Sequence, residues 1–183
     1  MMKRFFLYIA FGIFLFAAGC AQKNNKDKKE EPATTTLPIP EKPKGWVSDF
    51  EHIFTKEQVE MLEATLVIRE GETSDEIAIV TLNLDSNSIK TDKDFDTYSQ
   101  ALFNKWGLGK KRKDNGVGIL ICPNLRRIRI DVGKGLSSKL TSEECKTIID
   151  SVLIPAFKNS DYYNGVLKGL AEIAKELNEK SDP

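Results

Sequence analysis

Residues 116–135, GVGILICPNLRRIRIDVGKG, decide the fold. The apolar run Val117–Ile121 reads as a buried strand. Arg126–Val132 alternates polar and apolar side chains, as a half-exposed strand does. Only Pro123-Asn124-Leu125 separates the two, and so short a link joins antiparallel neighbours into a hairpin. With the turn centred on Asn124, Val117 faces Asp131 and Leu120 faces Ile128. Ile128, Ile130 and Val132 then share a face with Gly118 and Leu120.

Upstream, Glu76–Leu82 (EIAIVTL) is a second buried strand. Between it and the hairpin, Asp92–Trp106 places Phe95, Tyr98, Leu102 and Trp106 on one helical stripe, and Gly107 and Gly109 close the helix. Strand, helix, strand predicts a right-handed parallel crossover. Thr55, with Glu57 and Gln58 in the next turn, opens an earlier helix whose apolar face is Val59, Leu62 and Leu66; Gly71 is expected to end it. Thr141 and Glu144 open another, running to about Leu153. Pro155 marks a break, and a last helix spans Tyr162–Leu177. Trp46–Phe50 reads as a docked entry segment. The expected architecture is a three-layer α/β/α sandwich on a small mixed sheet, one domain over residues 45–180.

What precedes the domain has a different character. Lys3 and Arg4 lead an uncharged apolar run, Phe5–Ala18, that is short for a membrane span and shaped like a secretory signal, residues 1–19. Ala17-Ala18-Gly19-Cys20 looks like a bacterial lipobox, so Cys20 is expected to carry lipid and hold the chain to a membrane in the cell envelope, facing away from the cytoplasm. Residues 20–44 combine prolines and dense charge and read as a disordered tether. Removal of 1–19 takes away two cations and no acid, leaving 25 Lys and Arg against 27 Asp and Glu. That balance argues against a nucleic-acid partner. Cys122 and Cys145 are read as buried free thiols, with a disulfide as the alternative.

The hairpin brings Asp114-Asn115-Gly116 to the same end of the sheet as Asp131 and Gly133-Lys134-Gly135. Two carboxylates, an amide oxygen and glycine-exposed carbonyls suit a hard cation such as calcium or magnesium. Asp-Asn-Gly is also ordinary turn chemistry. A competing location is the C-terminal end of the parallel strands, with Asn83, Asp85, Ser86 and Cys122-Pro123-Asn124, where open α/β sheets commonly bind ligands. The run Lys110–Lys113 reads as a solvated loop. The sequence has a single histidine, His52, and neither a Gly-x-Ser-x-Gly elbow nor a phosphate-binding Walker loop.

The stretch FNKWGLGKKRKDNGVGILICPNLRRIRIDVGKGL resembles the signature of the TPM domain family, found in bacterial envelope proteins and in a thylakoid-lumen protein of photosystem II repair. VSDFEHIFTKEQVEMLEATL is similar to the family's opening segment. LTSEECKTIIDSVLIPAFKNSDYYNGVLKGL is similar to its closing helices, so the match covers roughly 45–178. The resemblance implies an α/β/α domain with an acidic divalent-metal site and, for plant members, acid phosphatase activity. By position Asp49, Asp114, Asn115 and Asp131 match the family's polar positions, with Asp131 standing where many members have Glu. A phosphatase built from this chain would be metal-assisted. Asp114 and Asp131 would hold the cation, Lys110 or Lys134 would pair with phosphate, and His52 would shuttle a proton. The weak catalytic inventory ranks a binding or assembly module for envelope proteins ahead of that enzyme.

Overall fold

The computed structural model describes residues 35–179. The signal, Cys20 and the first part of the tether lie outside the described residues. The domain is a three-layer α/β/α sandwich on a mixed four-stranded sheet in the order β1-β2-β3-β4. The strands are Val47–Asp49, Glu76–Thr81, Gly116–Cys122 and Arg127–Val132. β1, β2 and β3 run parallel and β4 antiparallel to β3. The entry segment is thus a true edge strand, and helix α1 (Lys56–Thr73) makes the link from β1 to β2 a second parallel crossover.

Helix boundaries follow the local chemistry. Thr55 and Gln58 form the capping box that starts α1. The helix runs through Gly71, where a Cβ would meet open space, and ends at Ser74 in the left-handed region. A helical glycine costs only about 1 kcal/mol relative to alanine, too little to stop a helix alone. α2 (Asp92–Trp106) begins in a Thr91–Asp94 capping box and ends at Gly107 with φ 69°, a backbone that glycine adopts without strain. α3 (Ser142–Ile148) does not break at Pro155. It passes through a π-helical turn, Ile149–Leu153, into α4 (Ile154–Lys158). The turn is wide, with the Ile154 N–H reaching back to the Ile149 carbonyl, and a wide turn accommodates the nearby proline without ending the helix. α5 (Tyr162–Glu179) packs on this bent helix. A Cβ at Gly169 would stand 2.7 Å from Leu153, and one at Gly165 would stand 2.8 Å from Ala156 and Phe157.

The hairpin register is one residue away from the expected one. Gly118 faces Asp131, Val117 faces Val132 and Ile121 faces Ile128. The cause is the turn, which closes with an Arg126 N–H to Pro123 carbonyl bond and carries Arg126 at φ 52°. Its loop therefore holds four residues, not three. A one-residue slip moves every side chain to the other face. Ile130, and with it Ile128 and Val132, belongs with Val117, Ile119 and Ile121 in the core under α1, α3 and α5. Arg127, Arg129 and Asp131 turn towards α2.

On the α2 side the core is Ala78, Val80, Leu120 and Cys122 against Phe95, Tyr98, Leu102 and Phe103. One helix, about 10 Å across, is too narrow to cover four strands spaced about 4.8 Å apart. The end of the tether supplies the remainder. Leu37 and Ile39 pack on this core. The Tyr98 hydroxyl donates to the Pro38 carbonyl (3.1 Å), and the Trp106 indole N–H donates to the Pro40 carbonyl (2.9 Å). Residues 37–40 are therefore an ordered strap, and the tether gives way to folded chain before Gly45. Cys122 and Cys145 are free and lie in different cores on opposite sides of the sheet. Among the described residues no helix is long and apolar enough to cross a membrane.

Candidate functional site

The register creates a polar seam between α2 and β4. The Arg129 guanidinium bridges two carboxylates, Nη1 to Asp96 Oδ1 at 2.7 Å and Nε to Asp131 Oδ1 at 3.1 Å. The Ser99 hydroxyl donates to the second oxygen of Asp131. One strand position further along this face, Arg127 Nη1 reaches Asp92 (3.2 Å) and the Thr91 carbonyl (2.5 Å) at the start of α2. α2 approaches closely because Gly118, opposite Asp131, has no side chain. A Cβ there would stand 2.4 Å from the Phe103 ring. Burial raises the Asp131 carboxyl above its ordinary pKa, and the bonds from Ser99 and Arg129 oppose that rise without cancelling it.

Of the four residues read as cation ligands, Asp114 and Asp131 lie at the same end of the sheet. Asp114 lies at the start of β3 with φ 49°, and its carbonyl accepts the Gly135 N–H at 3.0 Å. A Cβ on Gly133 would be 3.0 Å from Asp114 Oδ1, so the carboxylate rests over the bare glycine. Gly133 follows Asp131 by two residues, and the pleat puts both on the same side. Asp114 and Asp131 thus share one end of the sheet, and the chain is tight there, since a Cβ on Gly133 would also stand 2.1 Å from the Asp114 carbonyl oxygen. Asn115 does not turn towards them. Its Oδ1 accepts the Lys110 N–H (3.1 Å), and its Nδ2 donates to the Ser74 carbonyl (2.7 Å) and to Asp75 Oδ1 (3.2 Å), tying the end of α1 to β3.

Asp49 is further away still. It sits on edge strand β1 while Asp131 sits on the opposite edge, three strand spacings or about 14 Å across. Its oxygens accept from the Thr81 hydroxyl (2.5 Å) and from the Ile53 and Phe54 N–H groups (3.2 and 3.0 Å), so it fixes the turn into α1. His52 belongs to that same turn, with φ 52°. Lys110 Nζ is paired with Glu70 Oε1 at 2.5 Å. Among the described residues no group of three or more His, Cys, Asp or Glu is arranged to hold a metal. A cation at this end of the sheet would draw on Asp114 and on Asp131, whose oxygens already accept from Ser99 and Arg129.

At the competing end the polar groups serve the fold. Asn124 brackets Leu84, accepting its N–H at 3.3 Å and donating to its carbonyl at 2.8 Å, while the Cys122 thiol donates to Asn124 Oδ1. Sequence reasoning missed Asp96, Ser99 and Arg129. The signal was present as the polar line Asp92, Asp96, Ser99 on α2 and the alternate positions Arg127, Arg129, Asp131, but pairing the two lines needs the correct register.

Two parallel crossovers, an antiparallel fourth strand and a polar seam under one helix define a mixed α/β/α domain. The family model of the TPM domain matches residues 47–176, and the chain belongs to that family. Solved structures agree with the fold. The N-terminal domain of a P. gingivalis protein is 25% identical with a TM-score of 0.64, the match covering 73% of this chain and 82% of that one. The BA42 protein of the psychrophilic bacterium Bizionia argentinensis is 18% identical at 0.59, covering 71% and 85%. The N-terminal domain of a Corynebacterium glutamicum protein is 15% identical at 0.55, covering 82% and 92%. Among curated proteins, none matches.

Proposed function

We propose that this TPM domain is a binding and assembly module for envelope proteins, held at a membrane by lipid on Cys20 and steadied by calcium at Asp114 and Asp131. The outer face of α1 carries the reading. Met61, Val67 and Ile68 are 51%, 52% and 61% exposed, and all the exposed large apolar side chains among the described residues are on this one helix. Met61, Ala64 and Ile68 follow helical spacing and form a stripe, with Val67 at its margin. α1 already buries Leu62 and Leu66 towards the sheet, so its second apolar face is available to a partner.

The same geometry disfavours phosphoryl hydrolysis. His52, the candidate proton shuttle, follows the edge strand opposite the one that carries Asp131. Cross-linking the full chain in detergent-solubilised membranes, beside an Ile68→Lys variant, tests the module. The wild type is expected to capture a defined envelope protein that the variant loses. An unchanged capture profile, or metal-dependent turnover of a generic phosphomonoester, overturns the reading.

A further inference from the structure

A cleft of about 420 Å³ opens beyond the hairpin tip, between the β3–β4 turn and the junction of α4 with α5. That volume falls in the range of small-molecule sites, roughly 300–1,000 Å³. Its floor and one wall are apolar and aromatic. Ile128 and Ile154 meet Phe157 and Tyr162, whose ring centroids lie 4.8 Å apart. Its charged lining residues are Arg126, Arg127 and Lys158, with no acid among them. Arg127 is neutralised on the α2 side by Asp92. Arg126 and Lys158 are exposed, and no ion pair joins either of them to another described residue. The acid nearest in sequence, Asp161, accepts both its bonds from the Asn164 amide (2.9 and 3.2 Å).

Both walls are held in unusual backbone. Arg126 has φ 52° and Ser160 has φ 59°, conformations that non-glycine residues adopt where the surrounding structure imposes them. The α4 wall follows directly from the π-helical turn, a feature often found beside functional sites. Without that extra-wide turn, Phe157 and Lys158 would sit at a different angle around the helix axis.

We infer that this cleft binds a small amphipathic oxyanion, its carboxylate or phosphate head on Arg126 and Lys158 and its ring or short apolar body against Ile154, Phe157 and Tyr162. Two exposed cations above an apolar floor attract an anion that carries an apolar group, and each half alone is held weakly. The site goes beyond the protein-binding reading and is independent of it. It lies on the hairpin tip and the α4–α5 junction, whereas the proposed partner face is on α1.

The test is an amide-resolved NMR titration of the 15N-labelled full chain in an uncharged detergent, with phenylacetate and phenylphosphonate as probes and phenylacetamide as the neutral control. Either anion is expected to shift amides of 121–128 and 154–162, and the tighter head group distinguishes a carboxylate source from a phosphate source. Phenylacetamide is expected to bind about tenfold or more weakly. Arg126→Asn, which suits the left-handed backbone, combined with Lys158→Gln should weaken the anions by a similar factor, while Lys111→Gln in the exposed basic loop should not. Equal binding of the neutral control, shifts spread over residues 110–113, or no response at millimolar probe overturns the site.

Discussion

Asp131 shows how much one side chain's surroundings depend on one residue of register. It is mostly buried, faces Ser99, and shares Arg129 with Asp96. Burial raises its carboxyl pKa in the folded chain, so the folded state holds this proton more tightly than the unfolded state, whose carboxyl titrates near 4. Stability from this group is therefore present at low pH and declines as pH rises from about 4 through the folded value. Asp131→Asn removes that decline. The melting temperature of the variant minus that of the wild type should grow as pH rises above about 4, and a difference independent of pH would show that Arg129 and Ser99 cancel burial. Calcium should act in the opposite sense. At about ten times its dissociation constant it would add roughly 1.4 kcal/mol to the wild type, a rise of about 2–6 °C, with no increment in Asp131→Asn. A wild-type melting curve indifferent to millimolar calcium would remove the cation from the proposal. Asp114 and Asp131 were legible in the sequence as residues of one sheet end. Asn115 and Asp49 were legible only as polar residues. Whether an amide or a carboxylate caps backbone or faces a ligand depends on which N–H groups surround it, and spacing does not carry that.

Among the elements, those with a signal at both ends were readable to the residue. α2 starts at a Thr–Asp capping box and stops at a glycine in left-handed geometry, and its span is the expected one. α1 had a start signal but a misleading stop. Gly71 is tolerated inside it, and the helix ends where Ser74 turns left-handed and its carbonyl is taken by Asn115. The hairpin loop was misread because arginine gives little warning of positive φ, and β1 because three residues are too few to show alternation. The tightest joint between elements is α2 on β3. Gly118→Val would drive two methyl groups into the Phe103 ring and should cost about 1–3 kcal/mol by overpacking. Chemical denaturation should show a lower midpoint with an unchanged slope. A near-neutral result would mean that α2 shifts freely over the sheet, and the Ser99–Asp131 bond would then be no fixed part of the site.

At the level of the whole molecule the sandwich is lopsided. α1, α3 with its π turn and α4, and α5 cover one face, while α2 and the strap at residues 37–40 cover the other. The strap was hidden in the sequence because Leu37 and Ile39 alternate with prolines in a charged stretch, and two apolar side chains give no period to read. A chain starting at Gly45 should melt lower than one starting at Thr35 and should bind more of a dye specific for exposed apolar surface. Equal melting and equal dye binding would reduce the strap to a surface decoration.

The strap also sets the route by which force enters the domain. A pull on the chain from the Cys20 side reaches Leu37 before it reaches β1. It loads the Tyr98 and Trp106 bonds in turn, at Pro38 and then at Pro40. Contacts that fail one after another part at lower tension than contacts that must fail together. The strap therefore behaves as a mechanical fuse. Under such a pull it would yield first and bare a strip of the α2 core, while the sheet behind it would keep its shape.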